Sequence, residues 1–230
     1  MRGLKMTNTS LVTTSERQIP SLDYFVEWGG GRWEHFCRYA LQDLGPLRGR
    51  RILEIGPRFG RLSSYFALLG AQVVGIDIDA VALMQAEREA ARWGVQDRVS
   101  FVHYDGRLDR CEALSGAEFD VVFTKSVLVS LGCGLEEYLR QIDRKLGPSG
   151  RCVFIENRSG GALFSLARRV LPTQRGYYRW VTYLTDSHLK SIGEVFHITE
   201  VKKSLLPPIY LILARKTAGG VVSTAGNVLL

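Results

Sequence analysis

No run of apolar residues in this chain approaches the roughly 20 needed to cross a bilayer. The longest late run, Leu205 to Ala214, is short and interrupted by Pro207 and Pro208. The first 20 residues hold no apolar core of the kind a secretory signal requires. Cysteine is sparse: Cys37, Cys111, Cys133 and Cys152 are scattered, and no C-x-x-C pair occurs. Without closely spaced ligand pairs the sequence argues against a zinc site, and these thiols read as reduced and mostly buried. The expectation is a cytoplasmic protein with no metal. Lysine is scarce beside arginine, and acid falls short of base, leaving a formal charge of +7. A basic balance can attract nucleic acid, anionic lipid or a phosphorylated substrate. These charges spread along the chain, with a modest concentration from Arg151 to Arg179, so a generally basic surface accounts for them.

The chain has 230 residues, 46% of them apolar and 23% charged, which suits one well-buried domain of ordinary size. Trp33 to Leu44 has helical spacing, with Trp33, Phe36, Cys37, Ala40, Leu41 and Leu44 on one stripe, stopped by Gly45-Pro46. Strands and helices then alternate. Arg51–Gly56, Gln72–Asp77, Val99–His103, Phe119–Thr124 and Arg151–Glu156 read as strands. Gly60–Leu69, Ala80–Trp93 and Leu135–Leu146 read as the helices between them. Phe119–Thr124 is apolar on both faces, as a central parallel strand should be. After the fifth strand comes a basic amphipathic stretch, Ala162–Leu171, then Tyr177, Tyr178 and Trp180. A helix capped by Thr185 or Asp186 runs to Ile192, and Val195–Val201 and Ile209–Arg215 read as two last strands. The alternation predicts a doubly wound α/β sheet.

In such a sheet a ligand sits beyond the carboxyl ends of the strands, where the strand order reverses. The turn Gly56-Pro57-Arg58-Phe59-Gly60 lies there, and its glycines are expected to let backbone approach the ligand. Asp77 ends the second strand, where an acid accepts from both ribose hydroxyls. Asp105, followed by Gly106, lies just past the third, placed to accept from an exocyclic adenine amine, with Ile78 against the flat base. Glu54, Asp77 and Asp105 together predict a negative rim, unsuited to a diphosphate cofactor and suited to a sulfonium and an ammonium. Each acid also has a local explanation: a satisfied strand end for Glu54, a helix cap for Asp77 or, better, Asp79, and turn chemistry for Asp105.

The segments LEIGPRFGRLS, VVGIDID, FVHYDGR, FDVVFTKSVL and LGPSGRCVFIEN, in this order, resemble the class I S-adenosylmethionine-dependent methyltransferases over roughly residues 33 to 215. The resemblance implies a Rossmann-like, seven-stranded, mostly parallel sheet with an antiparallel last strand in an α/β/α sandwich. It implies S-adenosyl-L-methionine as cofactor, with S-adenosyl-L-homocysteine as product. The cofactor residues it implies are Glu54, Gly56, Pro57, Arg58 and Gly60 for the methionine part, Asp77 and Ile78 for the nucleoside, Asp105 and Gly106 for adenine, and Thr124 and Lys125 beside them. Arg58 stands where the family often has glycine. It is accepted there if its φ is negative and its side chain points away from the ligand, to solvent or to the cofactor carboxylate. Residues 1–20 read as a polar tail, 21–216 as the methyltransferase domain and 217–230 as a loose end. Within the domain, 21–46 would form a helical lid and 158–184 a cap over the substrate.

The acceptor is less legible. After the fourth strand the chain reads Thr124-Lys125-Ser126, not the Asn- or Asp-Pro-Pro-Tyr of base-amine methylation. The following SVLVSLGCG has no histidine to take a proton. Glu156, at the end of the fifth strand, is the best candidate catalytic acid, with a hydrogen-bonded strand end as the alternative. Tyr24, Trp28, Tyr177 and Tyr178 are candidate substrate contacts, and His103 is expected inside the strand layer. The aromatic and arginine mixture of the cap suits a flat or anionic metabolite. It also suits a membrane surface. The favoured reading is methyl transfer to a small molecule, at oxygen. RNA methylation and a non-catalytic binding protein are the alternatives, with nucleic acid the less favoured partner.

Overall fold

The computed structural model describes residues 19–26, 31–128, 134–161 and 183–217. Runs of branched apolar residues become β1 (Arg51–Ile55), β2 (Gln72–Asp77), β3 (Val99–His103), β4 (Phe119–Lys125) and β5 (Leu146–Asn157), all mutually parallel. β6 (Phe196–Ser204) and β7 (Ile209–Lys216) complete a seven-stranded sheet in the order β3-β2-β1-β4-β5-β7-β6. β7 runs antiparallel to both β5 and β6. The order reverses between β1 and β4, which opens a crevice at their carboxyl ends.

Helices cover both faces. They are α1 (Leu22–Phe25), α2 (Arg32–Leu44), α3 (Arg61–Leu68), α4 (Ala80–Trp93), α5 (Leu135–Lys145) and α6 (Asp186–Val195). Strand alternation sorts the core into two layers. Ile52, Val121, Phe123 and Val153 face α2 and α3, where Phe36 and Phe66 meet them. Leu53, Val122 and Phe154 face α5 and α6, where Leu139, Ile142 and Ile192 meet them. Phe66 meets Phe123 edge-on at 5.1 Å between ring centroids, a geometry aromatic pairs favour. The predicted stripe on α2 is buried except for Leu41, which is half-buried. Cys37, Cys111 and Cys152 are free and buried, and burial pushes the Cys37 thiol up to about 12.

Local chemistry sets the helix ends. Asp79 caps α4, its Oδ1 accepting from the amides of Val81 (2.9 Å) and Ala82 (3.0 Å). Thr185, not Asp186, caps α6 in a reciprocal box with His188. α6 runs three residues past the expected Ile192, carrying Gly193 inside it. β5 begins earlier than the sequence suggests. Leu146 already pairs with Phe119, and the register resets to Arg151 opposite Val121, so Gly147–Gly150 is a bulged start of the strand. The segment Ala162–Leu171 lies outside the described residues.

Candidate functional site

The carboxyl edge is built from the loops after β1 to β5. Among the described residues, two that are not glycine hold positive φ: Arg58 at 51° and Ser126 at 59°. One follows β1 and the other follows β4, so they flank the crevice. Left-handed backbone costs an L-residue about 1–2 kcal/mol, and such conformations gather at ligand sites. The condition set for accepting Arg58 in this turn, a negative φ, is not met. The turn tolerates it because the Arg58 amide donates to Asp77 Oδ2 at 3.1 Å, while its guanidinium lies 4.8 Å from the Phe59 ring centroid.

The turn's glycines are required by close packing within the protein. A Cβ on Gly56 would fall 2.5 Å from Val127 Cγ2. A Cβ on Gly60 would fall 2.6 Å from Ala86 Cβ and 2.7 Å from Phe101 Cζ. Both absent side chains make room for neighbouring protein. Gly75 does the same in the strand layer, where a Cβ would meet Pro57 Cγ at 3.0 Å. The turn is thus packed down on β2, β3 and α4. Gly106, at φ +90°, has only Ile78 within contact of a hypothetical Cβ, at 3.9 Å, so its flank is open.

Asp77 organises the rim. Its Oδ2 accepts from Arg58 and its Oδ1 from the Asp79 amide at 3.1 Å. A carboxylate has about four acceptor positions, so two stay available for neighbouring hydroxyls. Ile78, 65% exposed, presents an apolar face beside it. Asp105 is exposed, holds the Arg107 amide at 2.9 Å and lies 3.6 Å from Arg110. Arg107 in turn pairs with Asp109. Arginines interleave with the outer acids of the expected negative rim. Glu54 sits beneath, 3% exposed, and accepts from Ser63 Oγ of α3.

The far side differs more from expectation. Thr124 is fully buried, and its hydroxyl donates to Glu156 Oε1 at 2.8 Å. The Val127 amide donates to the same oxygen at 3.1 Å. Glu156 itself has 0% exposure, so it does not face an acceptor as the sequence reading had it. A proton acceptor must be within reach of the proton it takes, and this carboxylate instead ties the loop after β4 to β5. Lys125 Nζ lies 4.9 Å from the ring centroid of Trp33, at the start of α2. Tyr24 is not brought to the crevice. Its hydroxyl sits between Glu89 (3.3 Å) and Arg92 (2.9 Å) near the far end of α4, and its ring packs edge-on against Trp93. Trp28, Tyr177 and Tyr178 lie outside the described residues. His103 is exposed rather than interior, and its Nε2 donates to the Ile78 carbonyl at 3.1 Å. That bond, the Ser63 hydroxyl and the packing of Val127 on Gly56 were not read from the sequence.

Strand order, glycine turn and successive strand-end acids together define a Rossmann-like enzyme of the methyltransferase type. A family model for the methyltransferase domain matches residues 53–154. A ubiquinone biosynthesis O-methyltransferase of Azorhizobium caulinodans is 30% identical over 187 residues, covering 76% of this chain and 69% of its own. A protein of the same name from Ruegeria pomeroyi is 32% identical over 178 residues, covering 73% of this chain and 66% of its own. This chain belongs to the class I S-adenosylmethionine-dependent methyltransferases. It spans about two thirds of the length of those two relatives. Among solved structures, the magnesium protoporphyrin IX methyltransferase of Synechocystis, with S-adenosyl-L-homocysteine bound, superposes with a TM-score of 0.62 at 15% identity, covering 88% of this chain and 90% of its own. The N-methyltransferase NodS of Bradyrhizobium japonicum, in complex with the same product, gives 0.59 at 20% identity, covering 79% and 84%.

Proposed function

We propose that this chain methylates an oxygen of a small-molecule acceptor, with S-adenosyl-L-methionine as donor and S-adenosyl-L-homocysteine as product. The observation that carries the reading is Asp77: a strand-end carboxylate that fixes the turn after β1 and still has acceptor positions for two ribose hydroxyls. The sulfonium of the cofactor supplies an electrophilic methyl carbon. The chain's own groups bind and orient. Gly56, Pro57, Arg58 and Gly60 border the methionine part, with Glu54 behind them. Ile78 lies against the base, and Asp105 and Gly106 meet its exocyclic amine. Thr124 and Lys125 close the β4 side. Residues 21–216 form the catalytic unit.

Glu156 is a positioning residue in this reading, not the base. Alignment then supplies the rate, as it can when the acceptor is held in line with the methyl group. An acidic hydroxyl, such as that of a phenol, suits a site where no exposed base stands among the described residues of the loop after β4. The relatives named as O-methyltransferases support oxygen as the acceptor atom. Tyr24 drops out as a substrate contact, while Trp28, Tyr177 and Tyr178 stay assigned to the acceptor.

Calorimetry with S-adenosyl-L-homocysteine tests the cofactor half. Two hydrogen bonds to a charged acceptor are worth about 1.5–3 kcal/mol each, so Asp77→Ala should weaken binding on the order of a hundredfold or more. No binding by the wild-type chain at millimolar ligand would favour the non-catalytic reading. Mass spectrometry of metabolite pools incubated with enzyme and labelled cofactor, searching for the gain of one methyl group, tests the acceptor half.

A further inference from the structure

The residues assigned to the base, Asp105 and Gly106, sit on a loop that two buried side chains of α5 hold at both ends. At its start, the Tyr104 amide donates to the Asp77 carbonyl at 3.1 Å, and the Tyr104 hydroxyl meets the Tyr138 hydroxyl at 2.8 Å. At its end, the Leu108 amide donates to Gln141 Oε1 at 2.9 Å. That donor fixes which way the Gln141 amide points, and its Nε2 in turn donates to Glu137 at 3.3 Å. Tyr104, Tyr138 and Gln141 are all buried. Tyr138 and Gln141 are three residues apart, so they share one face of the helix. Burial raises both phenols above their ordinary range, so each hydroxyl keeps its proton and the pair stays a neutral hydrogen bond across the pH range of assays.

An apolar face on α5 would have sufficed to bury the helix, as Leu139 and Ile142 already do. Buried polar side chains are costly unless they are paired. Here the pairing is with the loop that carries Asp105. Between the two anchors lie Asp105, Gly106 and Arg107; the Asp105 carboxylate meets the Arg107 amide and Arg110, and Arg107 pairs with Asp109. The loop that carries the carboxylate is therefore held from beneath, at both ends, by α5.

We infer that Tyr138 and Gln141 are positioning residues that set the selectivity of the cofactor site for the base. They act through the 104–108 loop and touch no ligand themselves. The inference rests on the reading of Asp105 as the acceptor for an exocyclic amine. An Asp105 carboxylate held at a fixed height distinguishes adenine, which donates there, from hypoxanthine, which does not.

The test is calorimetric binding of S-adenosyl-L-homocysteine and of its deaminated analogue, S-inosylhomocysteine, to wild type, Gln141→Leu and Tyr138→Phe. Losing one hydrogen bond to the loop should weaken S-adenosyl-L-homocysteine about tenfold, leave the inosyl ligand nearly unchanged and so compress the ratio between them. Tyr138→Phe keeps the ring and guards against a fold lost in the glutamine variant. A role confined to packing would lower the melting temperature of both variants but leave the ratio where it was, and that result overturns the inference. Failure of the wild-type chain to bind S-adenosyl-L-homocysteine at all would overturn the cofactor reading together with it. Wild-type binding with unaltered variant ratios would sink the α5 assignment alone.

Discussion

At the scale of single residues, Arg58 is the position where sequence and structure part most clearly. The bulky side chain at a glycine-type position sits on left-handed backbone, with its guanidinium 4.8 Å from the Phe59 ring centroid. The strain can be weighed. Relief of the left-handed penalty is worth about 1–2 kcal/mol. Against it stand about 0.4–1 kcal/mol for the added freedom of an unfolded glycine and about 0.5–1 kcal/mol for the lost cation–ring contact. Arg58→Gly should therefore stay within about 1 kcal/mol of wild type in either direction. Arg58→Ala keeps the strain and loses the ring contact, so it should be the least stable of the three. Urea melts that rank alanine above glycine would show that the left-handed backbone stores less strain than the freedom a glycine gains in the unfolded chain. Asp77 and Asp105 were legible because strand-end acids after successive apolar runs are a pattern in the sequence. The left-handed φ of Arg58 and Ser126 was not legible, because no residue type at those positions demands it. Nor was the reason for Gly56 and Gly60, since a glycine that admits Val127 or Phe101 looks in sequence like one that admits a ligand.

At the scale of elements, β5 and the loop after β4 form one unit through Glu156. Its Oε1 receives both the Thr124 hydroxyl and the Val127 amide. Glu156→Gln retains an acceptor oxygen at that point. Turnover should accordingly fall less than about tenfold, well short of the roughly 10²–10⁴-fold expected on removing a general base. Steady-state rates on an identified acceptor would decide it, and a thousandfold loss with intact cofactor affinity would restore Glu156 as the base. The strand itself was legible from its apolar run. The complete burial of Glu156 was not, because the sequence shows the acid near the strand terminus but not that Thr124, on the adjacent strand, faces it. The elements with clear periodicity, β2, β3 and α4, fall on the residues the pattern predicted. The bulged start of β5 was hidden, since Gly147-Pro148-Ser149-Gly150 reads as a turn whether or not the sheet takes it in. Tyr138 and Gln141 were passed over for a similar reason: on an amphipathic helix they look like ordinary members of the stripe and its border.

At the scale of the whole molecule, the added β6–β7 hairpin is fastened to α6 by Asp186, which accepts from the Tyr210 hydroxyl at 2.8 Å and from Lys203 at 3.2 Å. Those two bonds hold its carboxyl below the ordinary value of 3.8. A group whose native value is depressed contributes stability that is present above the unfolded value and is lost as pH falls through the native one. The pairing is largely exposed, so its worth is at most about 1 kcal/mol. Asp186→Asn should melt slightly below wild type at neutral pH, and the gap should close as pH drops below the ordinary carboxylate range. A gap that stays constant down to strong acid would show that the carboxylate's charge is not what fastens the hairpin. Different parts of such a molecule open with very different ease. Central strands exchange their amides through opening on the largest scale, whereas a rim turn opens locally. The amides of Arg58 and Asp79, both bonded to the Asp77 carboxylate, thus serve as an isotopic gauge of occupancy. When a ligand engages that carboxylate their deuterium uptake slows, while uptake in the hairpin far along the sheet is left alone, and an unknown mixture can be screened for binders without any knowledge of the reaction.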